Sequence, residues 1–394
     1  MDCGHSFGAT CEAGLCELGF SSATNAAVVH RGFNCVRLTW STFMFTRNAN
    51  LKFGKTFDSL GLEEAKKRVA RNNPFVLNMT HVQAYEPCQN GAVIMMEMAF
   101  LETPNFVMRS VGVYKTIDLI KTYMVGMSLR NELRGTRQNE HDRYKYILRG
   151  AREVHQANPN VLILLSGLTW GTDLSFLKMK SPESNFDNKL VYEAHWYSFS
   201  GDSKIWELQP LNRVCAKATK WFNDQNGFLI SNDNPFPLFL GEFGFDQRGE
   251  KQADNGFLTC LVAYVAERDL DWGLWALQGS YYHREGNIGA EETFGVLDFN
   301  WKHLRNPTFQ RRFRLLQTMI KDPNSNLSKS YILYHLQSGQ CVQVNSKNEL
   351  HMRDFKKLTK WSYGGDGTPV RLMGSALCLK AVVLGFHQWF LMIA

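Results

Sequence analysis

The chain has 394 residues, 44% of them hydrophobic and 21% charged, which is typical of a globular protein with one large and one smaller domain. The net charge of +7 is spread without runs of like charge and argues against a nucleic-acid partner. No window of about 18 apolar residues predicts a membrane span, so we expect no membrane association. Residues 1–30 show no signal-peptide pattern.

From residue 32 onward, apolar runs alternate with helical patterns. Near-continuous apolar strands separated by helices are typical of a parallel α/β fold, and their number favours a (β/α)8 TIM barrel over an open sheet. The pattern predicts strands at 35–40, 125–129, 161–168, 189–197, 237–244 and 271–277, and helices at 61–71, 141–158 and 255–268.

Polar and aromatic residues stand where these predicted strands end. Active-site residues of such barrels cluster at that edge, so we expect them to meet there. Glu132 and Glu242 each terminate an apolar run, and a pair of carboxylates is what glycoside hydrolysis requires. Taken singly, Arg37 is equally explained as a salt bridge at the base of the barrel, and His195 as a core histidine. The full set is Arg37, Asn131, Glu132, His195, Tyr197, Glu242 and Trp275.

The pattern of residue types changes after residue 322. Residues 323–329 are polar and predict a linker, and residues 330–394 show short strands with turn signals, which indicate a separate all-β module. The nine cysteines include no CxxC pair, so neither a zinc site nor a redox motif is indicated. Cys35 and Cys260 lie in apolar surroundings and are predicted to be buried thiols.

The segments CVRLTW, MSLRNELRG, HWYSFS, LGEFGFDQRG and DLDWGLWALQGSYYHREG resemble glycoside hydrolase family 5, and more narrowly its plant members with a C-terminal ricin-B-like lectin domain. The resemblance implies a barrel over 32–322, a lectin module over 330–394, and a retaining β-glycosidase that needs no metal or cofactor. It also implies a carbohydrate substrate (a β-glucan, mannan or glycoside), a monomer, and an extracellular or cell-wall location.

At the matching positions of this chain, the resemblance implies that Glu132 is the general acid/base and that Glu242 is the nucleophile. Asn131 would bind the sugar 2-hydroxyl, and Arg37 would keep the nucleophile ionised. The three remaining residues would line the site: His195, Tyr197 with its hydroxyl against Glu242, and Trp275 as the sugar platform, with Trp272 the second choice for that role.

The chain departs from the family in two regions of the barrel. Residues 1–31 supply no first strand, and residues 88–123 replace the family's third strand with unrelated residues that a one-nucleotide frame shift would restore. A similar shift affects the end of the chain, where the lectin stops early. We therefore expect an incomplete barrel without its first and third strands and a truncated β-trefoil-like module. Two alternative hypotheses remain: a non-catalytic carbohydrate-binding remnant, or an inactive product of a damaged gene.

Overall fold

The protein divides into two compact units, residues 1–306 and 307–394. The computed structural model describes residues 33, 35–41, 48–81, 83, 94–99, 124–179, 186, 188–201, 204–231, 235–284, 286–318, 330–336, 338–355, 358–365, 367–383 and 389–393. The unassigned segment 1–31 and the whole of the predicted linker 323–329 therefore lie outside the described residues.

The first unit is built on a seven-stranded sheet whose neighbouring strands are all parallel and follow chain order. This order is the one expected when each strand returns through a crossover. The strands are β1 Val36–Ser41, β2 Ile94–Ala99, β3 Met124–Ser128, β4 Leu162–Ser166, β5 Leu190–His195, β6 Leu238–Phe243 and β7 Trp272–Leu274; a small hairpin, β8 His283–Arg284 and β9 Asn287–Ile288, follows.

Helices occupy the connections between the strands. The predicted helix at 141–158 is a run of three segments, Glu140–Asp142, Arg143–Ile147 with π-type hydrogen bonds, and Leu148–Ala157. The main helices are α1 Phe53–Ser59, α2 Glu63–Asn72, α3 Leu148–Ala157, α4 Leu211–Phe222 and α5 Gln252–Arg268; shorter turns are Pro74–Asn78, Leu168–Gly171, Ser175–Lys178, Ile205–Leu208, Asn223–Gly227 and Phe228–Ser231.

The sheet is strongly curved. In a flat sheet, β1 and β6 would lie about 24 Å apart, because neighbouring strands are about 4.8 Å apart. Instead, the Arg37 side chain on β1 donates to the carbonyl oxygen of Gly241 on β6 at 2.9 Å. A parallel sheet that brings its first strand against its sixth has the curvature of a (β/α)8 barrel, so the predicted α/β barrel class is confirmed.

The prediction that the third strand is missing is wrong. β2, Ile94–Ala99, fills the place between β1 and β3 and pairs in parallel with both. The sequence IMMEMA does not resemble the family's strand, but a ladder needs only backbone N–H and C=O groups, which any non-proline residue supplies. In the described part of the chain, the sheet begins at β1 and ends at β7.

Cys260 is not a thiol, contrary to the prediction. It forms a disulfide with Cys215, with the two Cα atoms 5.3 Å apart, and so joins α5 to α4. The two helices pack against each other, and α5 buries residues such as Phe257 and Leu261. Sequence spacing could not reveal this pair, because 45 residues separate the two cysteines.

The second unit begins with a helix, α6 Phe309–Thr318, that the sequence analysis placed in the barrel segment. The Tyr334 hydroxyl donates to the carbonyl oxygen of Arg312 at 3.1 Å and ties this helix to the strands. Trp361 and Cys341 are both buried, and Cys341 is a free thiol. The strands are β10 Tyr334–His335, β11 Gln340–Val344, β12 Leu350–Asp354, β13 Trp361–Ser362, β14 Arg371–Leu372, β15 Leu379–Val383 and β16 Trp389–Ile393, paired antiparallel.

Within the ranges given above, no helix combines the length and the apolar composition needed to cross a membrane.

Candidate active site

Glu242 lies at the carboxyl end of β6, and only 9% of its side chain is exposed. Its Oε1 accepts a hydrogen bond of 2.7 Å from the Tyr197 hydroxyl, and its Oε2 accepts one of 3.3 Å from Nη1 of Arg37. Both donors stabilise the charged carboxylate. Burial and the neighbouring Glu132 act in the opposite direction and prevail, so the pKa of Glu242 is raised above its usual value.

Glu132 lies in the bend that follows β3, with 20% of its side chain exposed. Its backbone φ is 46°, in the left-handed region that residues other than glycine rarely adopt. Nη1 of Arg134 donates to its Oε2 at 2.9 Å, and Nδ1 of His195 lies 3.1 Å from its Oε1. Such backbone strain persists where the surrounding contacts hold it, most often at functional sites.

The carboxylates of Glu132 and Glu242 face each other beside His195. One oxygen of each carboxylate and one imidazole nitrogen all lie within 4.8 Å of one another. Nδ1 of His195 is 3.9 Å from Oε1 of Glu242. Retaining glycosidases have carboxyl groups about 5–5.5 Å apart, and inverting ones about 6.5–9.5 Å. One oxygen of Glu132 and one of Glu242 thus lie closer together than either of these separations between carboxyl groups.

The same three side chains are the one group in the described residues whose atoms could together ligate a metal ion. The oxygens are already bonded to cationic or hydroxyl donors, above all Arg37 on Glu242 and Arg134 on Glu132. A divalent cation would have to compete with both guanidinium groups, so the arrangement suits an ion-pair network better than a metal centre. That the site needs no metal or cofactor stays a prediction.

Arg37 reaches across the interior of the sheet from β1. Besides Glu242 and the Gly241 carbonyl, its guanidinium contacts the carboxylate of Glu193 through Nη2. Only 12% of the Arg37 side chain is exposed. Arg37 is the second residue of β1 and so does not stand at the end of its strand, contrary to the prediction; its long side chain forms salt bridges beside Glu242, and its role in a site stays a prediction.

Glu193 is a fully buried carboxylate on β5 that the sequence analysis did not single out. The Ser128 hydroxyl donates to its Oε2 at 2.7 Å, and Nε2 of His195 lies 3.1 Å from its Oε1. Burial by itself raises the pKa of this group. The charge of Arg37 and the hydrogen bond with His195 outweigh that effect and lower the pKa of Glu193 to about 2.

The imidazole of His195 lies between three carboxylates, and its side chain is 1% exposed. A register shift between Ala194 and His195 sets this residue opposite Glu242 on β6, as bulges beside active sites often do. Burial lowers the pKa of His195, but the charge of Glu242 and the hydrogen bonds with Glu132 and Glu193 raise it to about 10. The ring is therefore an imidazolium at neutral pH.

Tyr197 follows β5 and places its hydroxyl against Glu242, as the resemblance implied. Burial, followed by the charge of Glu242, raises the pKa of Tyr197 well above its usual value, so the group is a permanent donor. The ring of Phe199 stacks on the Tyr197 ring with centroids 4.8 Å apart. This stack holds the phenol in one orientation.

The indole of Trp275 is fixed from behind by Glu292, a buried carboxylate in the loop after β7. Nε1 of Trp275 donates to Oε2 of Glu292 at 3.0 Å, and Nη1 of Arg284 lies 3.3 Å from the same oxygen. The Tyr281 hydroxyl also donates to it. By contrast, Trp272 packs against Phe243 with ring centroids 5.9 Å apart.

Asn131 immediately precedes Glu132. Its Oδ1 is buried without a hydrogen-bond partner among the described residues. Buried side-chain oxygens are nearly always satisfied by a partner, so this atom is available to a hydroxyl of a bound molecule.

Residues 16–280 match the family model described as Cellulase (glycosyl hydrolase family 5). The chain is also 37% identical over 407 residues to a glycosyl hydrolase 5 family protein of Chamaecyparis obtusa, covering 94% of this chain and 72% of that protein. The chain belongs to glycosyl hydrolase family 5. The family match begins at residue 16 and so extends further toward the N-terminus than the predicted start at residue 32.

Two solved structures have a similar fold. An endocellulase from Pyrococcus horikoshii in complex with cellotetraose superposes with a TM-score of 0.58 at 14% identity, over 77% of this chain and 87% of that one. The catalytic domain of the major endoglucanase from Xanthomonas campestris superposes with a TM-score of 0.53 at 19% identity, over 74% and 86%. These similarities support the barrel fold.

Three residues of this family 5 site were not found by sequence reasoning: Glu193, Arg134 and Glu292. Glu193 stands two residues before His195 on the same strand, and period-two alternation places both side chains on one face. That spacing could have revealed it. Arg134 lies in the bend after Glu132, and Glu292 in an irregular loop, where sequence carries no comparable periodicity.

Proposed function

We propose that this chain is a retaining glycoside hydrolase that cleaves O-glycosyl bonds of a β-linked glycan or glycoside by double displacement. The observation that carries the proposal is the distance of at most 4.8 Å between an oxygen of Glu132 and one of Glu242. At that separation, one carboxylate attacks the anomeric carbon while the other donates its proton to the leaving oxygen.

Glu242 is the nucleophile in this mechanism. Arg37 and Tyr197 donate to its two oxygens and direct the free lone pairs of the carboxylate into the site. Attack forms a bond between a Glu242 oxygen and the anomeric carbon, and the bond to the leaving oxygen breaks. Glu132, partly exposed at the mouth of the site, protonates that oxygen and then removes a proton from the water that hydrolyses the ester.

Two residues receive the sugar. The unpartnered Oδ1 of Asn131 accepts a hydrogen bond from a sugar hydroxyl, for which the 2-hydroxyl is the natural candidate because it adjoins the reacting carbon. Trp275, held by Glu292, supplies an apolar face on which the C–H bonds of a pyranose pack.

The substrate class is a β-glucan, mannan or smaller β-glycoside. The proposal draws on the family and on the endocellulase relative that binds cellotetraose. For the strands of the second unit, which follow the predicted linker at 323–329, we propose a ricin-B-like, β-trefoil-related carbohydrate-binding module of the plant type. The Cys215–Cys260 disulfide supports an extracellular or cell-wall location, because disulfides persist in oxidising compartments. We propose a monomer that acts there.

The test compares Glu242→Gln with Glu250→Gln on aryl β-glucoside and β-mannoside substrates. Glu250 is a glutamate in the loop that follows β6, with 69% of its side chain exposed. The first change removes the nucleophile and should lower kcat by about 10³-fold or more, whereas the second should leave it unchanged.

Product stereochemistry tests the mechanism separately. Proton NMR of the first product should show the β-anomer. An α-anomer would reject double displacement, and equal activity of wild type and Glu242→Gln would reject the catalytic assignment. Sugar binding without turnover by the wild type would support a non-catalytic carbohydrate-binding protein instead.

A further inference from the structure

Glu193 is a buried charge whose contacts all lead into the candidate active site. It is 0% exposed, and its two oxygens contact Arg37, His195 and Ser128. A buried carboxylate is costly unless it is paired and hydrogen-bonded. The two cations that pair with Glu193 are the same two that contact Glu242.

We propose that Glu193 is a positioning residue, a fixed counter-ion that holds Arg37 and His195 in place while Glu132 and Glu242 exchange their charge during the reaction. This inference rests on the proposed function and deepens it. It assigns a third carboxylate to the reaction, one that never touches the substrate.

The backbone of β6 is built around this carboxylate. A Cβ added at Gly241 would lie 2.5 Å from Cγ and 2.6 Å from Cδ of Glu193, distances that carbon atoms do not tolerate. Glycine at this position therefore lets Glu193 lie flat against the neighbouring strand. Two strands thus position this buried charge: β5 carries Glu193, and β6 leaves space for it at Gly241.

The reaction moves negative charge from one side of His195 to the other. Before attack, Glu242 is ionised and Glu132 carries the proton; in the glycosyl-enzyme, Glu242 is a neutral ester and Glu132 is ionised. Arg37 loses its charged partner on Glu242 at that stage, whereas its contact with Glu193 persists. Glu193 is the carboxylate of the cluster whose charge is the same throughout.

The surroundings of His195 agree with this role. Glu132 faces its Nδ1 at 3.1 Å from the bend after β3, and Glu242 faces it at 3.9 Å from β6. Oε1 of Glu193 faces Nε2 at 3.1 Å, and Arg37 contacts the same oxygen. The turn after β4 places Gly171 against the ring, where an added Cβ would lie 3.2 Å from Cγ of His195. With a pKa of about 10, the imidazolium balances one of these carboxylates at working pH.

The first test is a titration of the wild-type full-length chain. Proteins labelled with ¹⁵N-histidine are followed by NMR between pH 5 and 8, and the His195 signals are identified by their absence in His195→Asn. We expect the His195 nitrogens to stay at the imidazolium position throughout. A midpoint inside this interval would overturn the inference, and this measurement requires no folded variant of Glu193.

The second test is Glu193→Gln, which keeps the shape and removes the charge. The His195 midpoint should fall by about 1–3 pH units because an adjacent negative charge is lost. A new ionisation should then appear in the pH profile of kcat, and kcat should fall by about 10–100-fold with a smaller change in KM. An unchanged profile and an unchanged imidazole signal would reject the role.

Two comparison variants isolate the charge. Ser128→Ala removes one hydrogen bond to Glu193 but keeps its charge, so the imidazole should remain charged and kcat should fall less than in Glu193→Gln. Glu250→Gln should leave both readouts unchanged. A wild-type protein whose His195 behaves as expected but which hydrolyses no glycoside would reject the proposed function while leaving the ion cluster standing.

Discussion

At the scale of single residues, the pKa of Glu242 depends on two opposing effects, burial and the neighbouring donors and charges. Glu242 is buried enough to raise its pKa, and Arg37, His195 and Tyr197 each act to lower it. A nucleophile must be ionised, so activity is lost as the pH falls through this raised pKa. The acid limb of kcat/KM should therefore lie above the usual range of a glutamate.

Tyr197→Phe should move that acid limb to higher pH. The change removes the 2.7 Å hydrogen bond that stabilises the charged form of Glu242, so the pKa of Glu242 rises further. The measurement is kcat/KM against pH on an aryl β-glycoside. Tyr264→Phe is the matched control, since that hydroxyl donates to Asn223 on the outer helices. A limb that moves equally in both variants would contradict the explanation.

Sequence reasoning at this scale found the residues at strand ends and missed those that support them. Glu132, His195, Tyr197 and Glu242 come together because the carboxyl ends of parallel strands share an edge, and the long side chain of Arg37 reaches this cluster from the start of β1. The roles given to these residues, and to Asn131 and Trp275, remain predictions. Glu193, the supporting glutamate of β5, lies inside an apolar run, and its partners Arg37 and Ser128 come from two other strands, so its spacing of two residues from His195 is the one local sign of it.

At the scale of elements, β5 and β6 form the floor of the site, and the loop after β7 forms one wall. The close approach of β6 to the Glu193 carboxylate depends on Gly241 having no side chain. The wall depends on Glu292, which accepts three side-chain donors on one oxygen. A substitution at Gly241 therefore alters the geometry of β6, and a substitution at Glu292 alters that of the wall.

Gly241→Ala should destabilise the fold and reduce activity together. The added Cβ displaces Glu193, and overpacking of this kind costs about 1–3 kcal/mol in the free energy of unfolding. Chemical denaturation and kcat are measured on the same samples. Gly201→Ala is the control, because nothing lies within 4 Å of a Cβ there, and it should change stability by less than about 0.5 kcal/mol. Equal stability of the two variants would show that the strand relaxes freely.

Glu292→Gln should lower kcat/KM about tenfold by releasing the indole of Trp275. In a Trp275→Phe background, which has no indole N–H, the same change should have a much smaller effect. The neighbouring Glu291→Gln, a glutamate with 43% of its side chain exposed, serves as the control. Fully additive effects in this double-mutant cycle would show that Glu292 does not act through Trp275.

At the scale of the whole molecule, the alternation of strands and helices was sufficient to predict the parallel barrel. The order of β3 to β7 follows from apolar runs that any parallel sheet would bury on both faces. The strand at residues 94–99 was not predicted, because its side chains do not resemble those of the family's third strand. Strand pairing, however, depends on backbone groups. The link between α4 and α5 was missed for a similar reason: helix neighbours are set by packing on the sheet.

Removal of the Cys215–Cys260 disulfide should destabilise the first unit. Opening a crosslink between residues 45 apart is expected to cost about 4 kcal/mol in the chain-entropy description. Denaturation of a Cys215→Ser/Cys260→Ser variant is compared with wild type, with and without a reductant. The reductant should shift wild type toward the variant and leave the variant unchanged. A reductant effect of equal size in both would place the sensitivity elsewhere.

The left-handed backbone of Glu132 has a consequence for how the protein can change over time. An alanine there keeps the steric conflict of a β-carbon at φ 46°, whereas a glycine relieves it. Glu132→Gly should therefore unfold at a higher denaturant concentration than Glu132→Ala, although both are inactive. Selection for stability alone, without selection for catalytic activity, will favour replacement of this glutamate by glycine. Under the proposed function, selection for turnover is what would keep a glutamate at this position.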